Sequence, residues 1–494
     1  MPKKYVLEIS IFVSGAVVMI LELLGSRMFA PFFGNSLIVW TNLIGIVMAS
    51  LSIGYWFGGR IADKEPTYKK YSVILFVVGL LIFLVYLLQL PVLVLLQNNI
   101  VDIRYGSILA GVILLAPASA FLGMVSPYAV RLKMKDIKAS GATVGRLYAI
   151  STFGSIAGTF LAGFWLIARL GTSQSIVLLS LVAIALSVVV WTDVKFLIIR
   201  LVAITIIAIG ALSFRVQLSG VVADIDTQYS RALIYDSVEE ISSRNVRTIA
   251  FVPGEAESAM YEDNPDELVS DYTKFFRIAG FLKPDQKRTL LIGGGTYMYP
   301  RDYLKQFPES EMDVVEIDPE MTDIAKKYFS FKEDPRLNIY HEDGRTFINR
   351  SKASYDAIFL DAFKSYNSVP FYLATRESLE RIRGLLSENG VVVTNIVSAL
   401  EGENARFFEA EYVTLKSVFP SVSIFRVSSG SSNQDIQNII LVAARASVDL
   451  GQAVKYSPTY ADKIVDKDAI KSGALVLTDN FAPVDQYLFS LNLK

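Results

Sequence analysis

Thr289–Leu290–Leu291–Ile292–Gly293–Gly294–Gly295 is a short apolar run that breaks into three glycines, and eighteen residues on Asp313–Val314–Val315–Glu316–Ile317–Asp318–Pro319 ends a second such run in acids. Apolar runs of this length, each followed by a turn and a helical stretch, predict strand–loop–helix alternation and a parallel α/β sheet. Glu316 lies 21 residues beyond Gly295. At that spacing an acid at the end of the second strand accepts bonds from ribose hydroxyls. The alternation continues. A third strand, Leu337–Tyr340, leads into Glu342–Asp343–Gly344, and a fourth, Tyr355–Leu360, ends at Asp361. A fifth, Val391–Asn395, follows a helix closed by Asn389–Gly390, and two late strands near 421–427 and 438–443 bring the count to seven. Ligands of open α/β sheets bind beyond the carboxyl ends of the strands. Gly293, Gly294, Gly295, Glu316, Asp343 and Asp361 all fall at such ends, on four successive strands, and together predict a nucleoside-binding crevice. The glycine loop lacks the full G-x-G-x-x-G, so a nucleoside without a diphosphate fits best, on a Rossmann-like sheet of the methyltransferase type. This domain is read as 283–494. Ahead of it, 216–282 reads as a small β-rich subdomain, with strands at Arg231–Tyr235 and Thr248–Val252 and a helix over 266–280.

The other half of the chain has a different character. Of 494 residues, 52% are apolar and 19% charged, and the net charge of −1 conceals a segregation. Residues 1–215 carry a net +10 and residues 216–494 a net −11. About 20 apolar residues cross a bilayer, and such runs lie near 5–30, 37–59, 71–96, 105–130, 146–168, 174–192 and 196–214. Residues 1–215 therefore read as a transmembrane helical domain of about seven spans. Gly154, Gly158 and Ala162 stand four apart, the spacing that lets helices approach closely. Lys3, Lys4, Arg60, Lys64, Lys69, Lys70, Arg131, Lys133, Lys135, Lys138 and Arg146 mark cytoplasmic loops. Glu22 and Arg27 in the first span are ionisable groups in lipid, where charge is costly and often functional. Five residues apart, they point about 140° away from each other and need partners on other helices.

Absences narrow the chemistry. The chain has no cysteine, which excludes disulfides, thiolate catalysis and Cys-based zinc sites, and its single histidine, His341, excludes His-cluster metal centres and His-centred triads. No metal is expected. Acid–base work falls to carboxylates, Tyr or Lys. The acidic second half makes nucleic acid an unsuitable partner.

The stretches LLIGGG at 290–295, VVEIDP at 314–319, EDGR at 342–345, YDAIFLD at 355–361 and GVVVTN at 390–395 resemble the spermidine synthase family of aminopropyltransferases. GAVVMILELLGSRMFAPFFGNS at 15–36, GRLYAISTFGSIAGTF at 145–160, GEAESAMYEDNPDELVSDY at 254–272 and LTDNFAPVD at 477–485 resemble its membrane-fused branch. The resemblance implies that Gly293–Gly295 turn under the co-substrate, decarboxylated S-adenosylmethionine. Glu316, Asp318, Asp343 and Gly344 would bind it, with Glu316 on the ribose and Asp343 on the adenine amino group. Asp361 matches the catalytic aspartate, which takes up the amine proton. Tyr229, Tyr272 and Asn395 would line the site of a diamine such as putrescine. A homodimer is expected, multi-pass in the cell membrane, with the soluble half in the cytoplasm where adenosyl-sulfonium compounds are made, although an odd number of spans would put it outside. Four positions depart from the family pattern: Thr296 and Lys364 replace acids, and Ser230 and Asn395 replace glutamines. A less acidic pocket leaves two alternatives, an S-adenosylmethionine-dependent methyltransferase on a membrane-associated substrate and a polyamine- or nucleoside-binding transporter.

Overall fold

The computed structural model describes residues 5–100, 102–134, 140–191, 193–213, 220–251, 256–362, 369–428, 430–455, 457–465 and 473–488. Lys3, Lys4, Lys135, Lys138 and Lys364 lie outside the described residues. The chain divides into two compact units, Met1–Ser219 and Gly220–Lys494.

Among its described residues the first unit is built of helices: α1 (Val6–Phe33), α2 (Leu37–Lys64), α3 (Tyr68–Asn99), α4 (Ile103–Ala110) running through a π-helical turn at Gly111–Leu115 into α5 (Ala116–Lys133), α6 (Ser140–Leu161) running through a second π turn at Ala162–Leu166 into α7 (Ile167–Val190), and α8 (Val194–Ser213). Among the described residues five continuous helical runs are long and apolar enough to cross a membrane, the last being Gly141–Val190. The sequence runs 146–168 and 174–192 both lie in that last run. Fifty residues of helix would measure about 75 Å, more than twice the roughly 30 Å of a hydrocarbon core. The run is bent at Gly171, whose φ of 69° and ψ of −172° leave the helical region.

Glycine sets the helix pairings, because without a Cβ two backbones can touch. Gly154 of α6 lies against the Phe12 carbonyl of α1, and Gly158 against Ala16 Cα, 2.6 Å from where a Cβ would sit. Ala162 of the same stripe is fully buried. The stripe read from sequence is thus a packing face on α1. Gly58 of α2 meets Met124 of α5 in the same way, and Gly79 of α3 meets Ile184 of α7. Polar groups tie the same helices: Ser180 Oγ donates to the Gly79 carbonyl at 2.7 Å, and Arg200 of α8, 1% exposed, donates to the Trp191 carbonyl and Ser72 Oγ. Glu8 pairs with Lys133 and, at 3.7 Å, with Arg146.

The second unit holds two sheets. Strands β1 (Val221–Asp226), β2 (Arg231–Val238), β3 (Asn245–Ala250) and β4 (Ser258–Tyr261) form an antiparallel meander. Two short helices, α9 (Asp271–Phe275) and α10 (Ile278–Leu282), stand where the sequence suggested one helix over 266–280. The segment is divided at Phe276–Arg277, where bonds such as Phe276 N–H to the Thr273 carbonyl tighten the turn. The Rossmann-like part alternates β5 (Arg288–Ile292), α11 (Met298–Gln306), β6 (Glu311–Val315), α12 (Pro319–Tyr328), β7 (Leu337–Tyr340), α13 (Gly344–Arg350), β8 (Tyr355–Leu360), α14 (Arg376–Leu385), β9 (Leu386–Ser398), α15 (Arg406–Val418), β10 (Ser421–Arg426), β11 (Gln437–Ala444), α16 (Leu450–Val454), β12 (Ile464–Val465) and α17 (Val484–Leu488).

The sheet order is β12-β10-β11-β9-β8-β5-β6-β7, with the five strands from β9 to β7 mutually parallel. It therefore has eight strands where the sequence suggested seven. The eighth is the two-residue β12 on the edge of β10, too short to show as a hydrophobic run. Nor does Asn389–Gly390 close a helix. Helix α14 ends at Leu385 and β9 starts at once, with an irregular register between Tyr355↔Leu386 and Ala357↔Val391. The central strands are buried on both faces, as helices on either side of a parallel sheet require. Leu290, Ile358 and Val392 pack in one core layer, and Leu291, Phe359 and Val393 in the other.

Candidate active site

Strand order reverses between β5 and β8, and the carboxyl ends of these two strands open a crevice. In the parallel register Ile292 faces Leu360, so the next residues, Gly293 and Asp361, emerge side by side. The Asp361 N–H donates to the Ile292 carbonyl at 2.9 Å. Gly293 has φ of +99°, and a Cβ there would collide with the Asp361 carbonyl. Only glycine allows both the turn and the contact.

The glycine loop is held from β6. Glu316 Oε2 accepts from the backbone N–H of Gly294 (2.9 Å) and Gly295 (3.1 Å), and Oε1 accepts from Asp318 N–H at 3.0 Å. A carboxylate offers about four acceptor positions. Three are occupied by backbone, and one remains for the ribose hydroxyl that Glu316 was expected to hold. Asp318 has a structural occupation as well as a place at the strand end. Fully buried, it caps α12 through Glu320 N–H (3.1 Å) and accepts from Thr227 Oγ1 at 2.5 Å. It fastens the β1–β2 turn to the sheet. Tyr229 stands on that turn, 42% exposed, with its N–H donating to Thr227 Oγ1 at 3.2 Å.

Asp343 caps α13 by accepting from Thr346 N–H at 2.9 Å. Its carboxylate also receives the Tyr372 hydroxyl, which burial first and this neighbouring charge second push up to about 12. Gly344 lets α13 start against β5, since a Cβ there would lie 2.7 Å from Ile292 Cγ2. Thr296 is buried and shares a 2.6 Å bond with Ser258 Oγ of β4. It is neutral and already partnered. Lys364 belongs to 363–368, outside the described residues.

The structure brings Asp361, Tyr272 and Asn395 together from the end of β8, from α9 and from β9. Leu360 faces Thr394 in the parallel register, so Asp361 and Asn395 leave β8 and β9 side by side, and the Asn395 amide and Tyr272 hydroxyl both act as donors that favour the charged Asp361 carboxylate. Burial pushes this carboxyl up to about 7, against the downward pull of the two donors. Desolvation disfavours the charged form more than two neutral donors can restore it. The result is a carboxylate poised to gain or lose a proton near neutrality, which suits a general base.

Two contributors were not singled out from sequence. Asn438 Nδ2 donates to Asn395 Oδ1 at 3.0 Å, and the signal was available, since Asn438 is a polar intrusion in the apolar run QNIILVAA. Asp479, within the LTDN stretch, accepts from Arg345 Nη2 at 2.7 Å and Thr375 Oγ1 at 2.6 Å, while Arg345 Nη1 holds the Tyr372 carbonyl at 2.7 Å. The C-terminal stretch thereby braces the residue that touches Asp343. Sequence separation of more than a hundred residues hid that link.

The spermine/spermidine synthase domain matches residues 273–449. A polyamine aminopropyltransferase of Vibrio vulnificus is 32% identical over 216 residues, covering 42% of this chain and 70% of that protein. The polyamine aminopropyltransferase of Saccharolobus solfataricus is 30% identical over 178 residues, covering 35% of this chain and 57% of that protein. Among solved structures, a "probable spermidine synthase" from Corynebacterium glutamicum is 20% identical with a TM-score of 0.42, covering 51% of this chain and 94% of its own.

Proposed function

Because the chain belongs to the spermine/spermidine synthase family, we propose that its second unit is a polyamine aminopropyltransferase, anchored in a lipid bilayer by its first. The donor is decarboxylated S-adenosylmethionine and the acceptor a small diamine such as putrescine. In the transfer, the amine nitrogen attacks the carbon next to the sulfonium, the C–N bond forms as the C–S bond breaks, and methylthioadenosine leaves. The attacking nitrogen must shed a proton. Asp361, at the mouth of the β5–β8 crevice, is the base that receives it, and Tyr272 and Asn395 aim its carboxylate. Glu316 and Asp343 would hold ribose and adenine, which leaves positioning as the main further contribution of the site. The observation that carries this reading is the meeting of Asp361, Tyr272 and Asn395 beside the Gly293 turn.

Thr296 favours a second reading. A neutral, partnered residue replaces an acid that would repel the carboxylate of ordinary S-adenosylmethionine, so methyl transfer to a membrane-associated substrate is chemically open to this site. One assay separates the two. The full-length protein in detergent is offered each donor with putrescine, longer amines or lipid extract, and products are weighed by mass spectrometry. A gain of one aminopropyl group is expected. Gain of a methyl group, with no aminopropyl product under any combination, would overturn the proposal.

A further inference from the structure

We infer that Asn438 is a positioning residue for proton uptake at Asp361, acting through the orientation of the Asn395 side-chain amide. The inference rests on the role of Asp361 proposed above. Asn395 sits on β9, 5% exposed, and Asn438 on β11, where the antiparallel register sets Ile440 against Asn395 and Asn438 against Val397. The two amides are joined by the 3.0 Å bond from Asn438 Nδ2 to Asn395 Oδ1. An amide has a donor end and an acceptor end. With its oxygen engaged by Asn438, Asn395 can offer Asp361 only its NH2 group, which binds a carboxylate and not the proton of a carboxylic acid. Asn438 thus biases a group it does not touch.

The surroundings of Asp361 leave this bias room to act. Among the described residues, the titratable side chain that acts on it is Tyr272 of α9, and Asn395 emerges beside it because Leu360 faces Thr394 in the parallel register. Two strands away, at the end of β6, the Glu316 carboxylate is directed to the backbone of Gly294, Gly295 and Asp318. The β5 loop contributes only glycines, and β9 and β11 contribute the two neutral amides. Lys364 lies outside the described residues.

Replacing the donor by an isosteric acceptor should reverse the relay. In Asn438→Asp the new carboxylate attracts the Asn395 NH2 group, so the Asn395 oxygen turns toward Asp361 and favours its protonated form. Loss of a hydrogen bond to a charged group then raises the midpoint of Asp361 by about one to two pH units. Asn438→Val, which only removes the donor, should move it in the same direction by less. Asn438→Ser retains a donor and should titrate like the wild type. The measurement is an infrared pH titration of the full-length protein in detergent, following the carboxylic acid band that Asp361→Asn removes.

In parallel, the acid limb of turnover should move upward by the same amount in Asn438→Asp, lowering turnover near pH 6.5 about tenfold or more while leaving KM for the adenosyl donor unchanged. An unmoved band in both Asn438→Asp and Asn438→Val overturns the inference. If Asn438→Asp does not fold, the Asn438→Val and Asn438→Ser pair decides it, and equal midpoints would refute it. The infrared readout does not depend on catalysis. A shifted band in a protein that transfers no aminopropyl group would support the relay and refute the transferase, and the converse result would do the opposite.

Discussion

Two desolvated carboxyls, half-buried Asp361 and fully buried Glu411, show how the same residue-level physics serves different ends. Asp361, pushed up to about 7 by burial, has two donors and faces the crevice. The general base proposed for the transfer acts only when ionised, so turnover should climb through pH 7 and level off above it. Asp361→Asn should lower turnover by about 10²–10⁴-fold while leaving calorimetric binding of methylthioadenosine intact, and a variant that loses both would point to collapse of the crevice. Glu411, on α15, is 2% exposed, has one oxygen without a hydrogen-bond partner and is pushed up to about 8 by burial alone. The sign of its effect on stability follows from linkage. Between its unfolded value of 4.5 and about 8 the folded state holds a proton that the unfolded state has released, so stability falls as pH rises through that window. Glu411→Gln should therefore raise the melting temperature at pH 9 and do little at pH 4. Equal shifts at both values would show that the carboxyl ionises freely.

Between elements, the decisive joint is the one between β5 and β8. Their parallel register ends at Ile292↔Leu360, and the crevice exists because Gly293 then turns with positive φ against the Asp361 backbone. Gly293→Ala should cost about 1–3 kcal/mol of stability from backbone strain alone, and should also push β8 and its aspartate out of place. Chemical denaturation and turnover read the two effects separately, and an alanine variant with wild-type stability would mean that the loop relaxes without cost. The glycine loop and the strand ends were legible in sequence because each apolar run stops where its strand leaves the core. The structural role of Asp318 was not legible for a related reason. In VVEIDP the two acids lie two residues apart, and spacing alone cannot tell that Glu316 holds the glycine loop while Asp318 caps α12 and accepts from Thr227.

For the whole molecule, the opposite charges of the two halves match the two compact units, which meet in sequence at Ser219–Gly220. An aminopropyltransferase that uses cytosolic sulfonium donors needs its second unit in the cytoplasm. Ile241 is 90% exposed on the turn between β2 and β3, and the chain has no cysteine of its own. Ile241→Cys should resist impermeant maleimide in intact cells and react after lysis. Labelling of intact cells would place the second unit outside and deny it that donor. Sequence by itself determined the helical first half, the strand–helix alternation after 288 and the acids at the strand ends, because hydropathy, periodicity and turn residues are local properties of the chain. Tertiary structure alone decided the order of the eight strands, the bend at Gly171 within one long helical run, and the encounter of Tyr272, Asp361, Asn395 and Asn438. Those four side chains come from α9, the end of β8, β9 and β11, and a hydrogen bond between residues that far apart depends on how the sheet closes its layers, which no local pattern encodes.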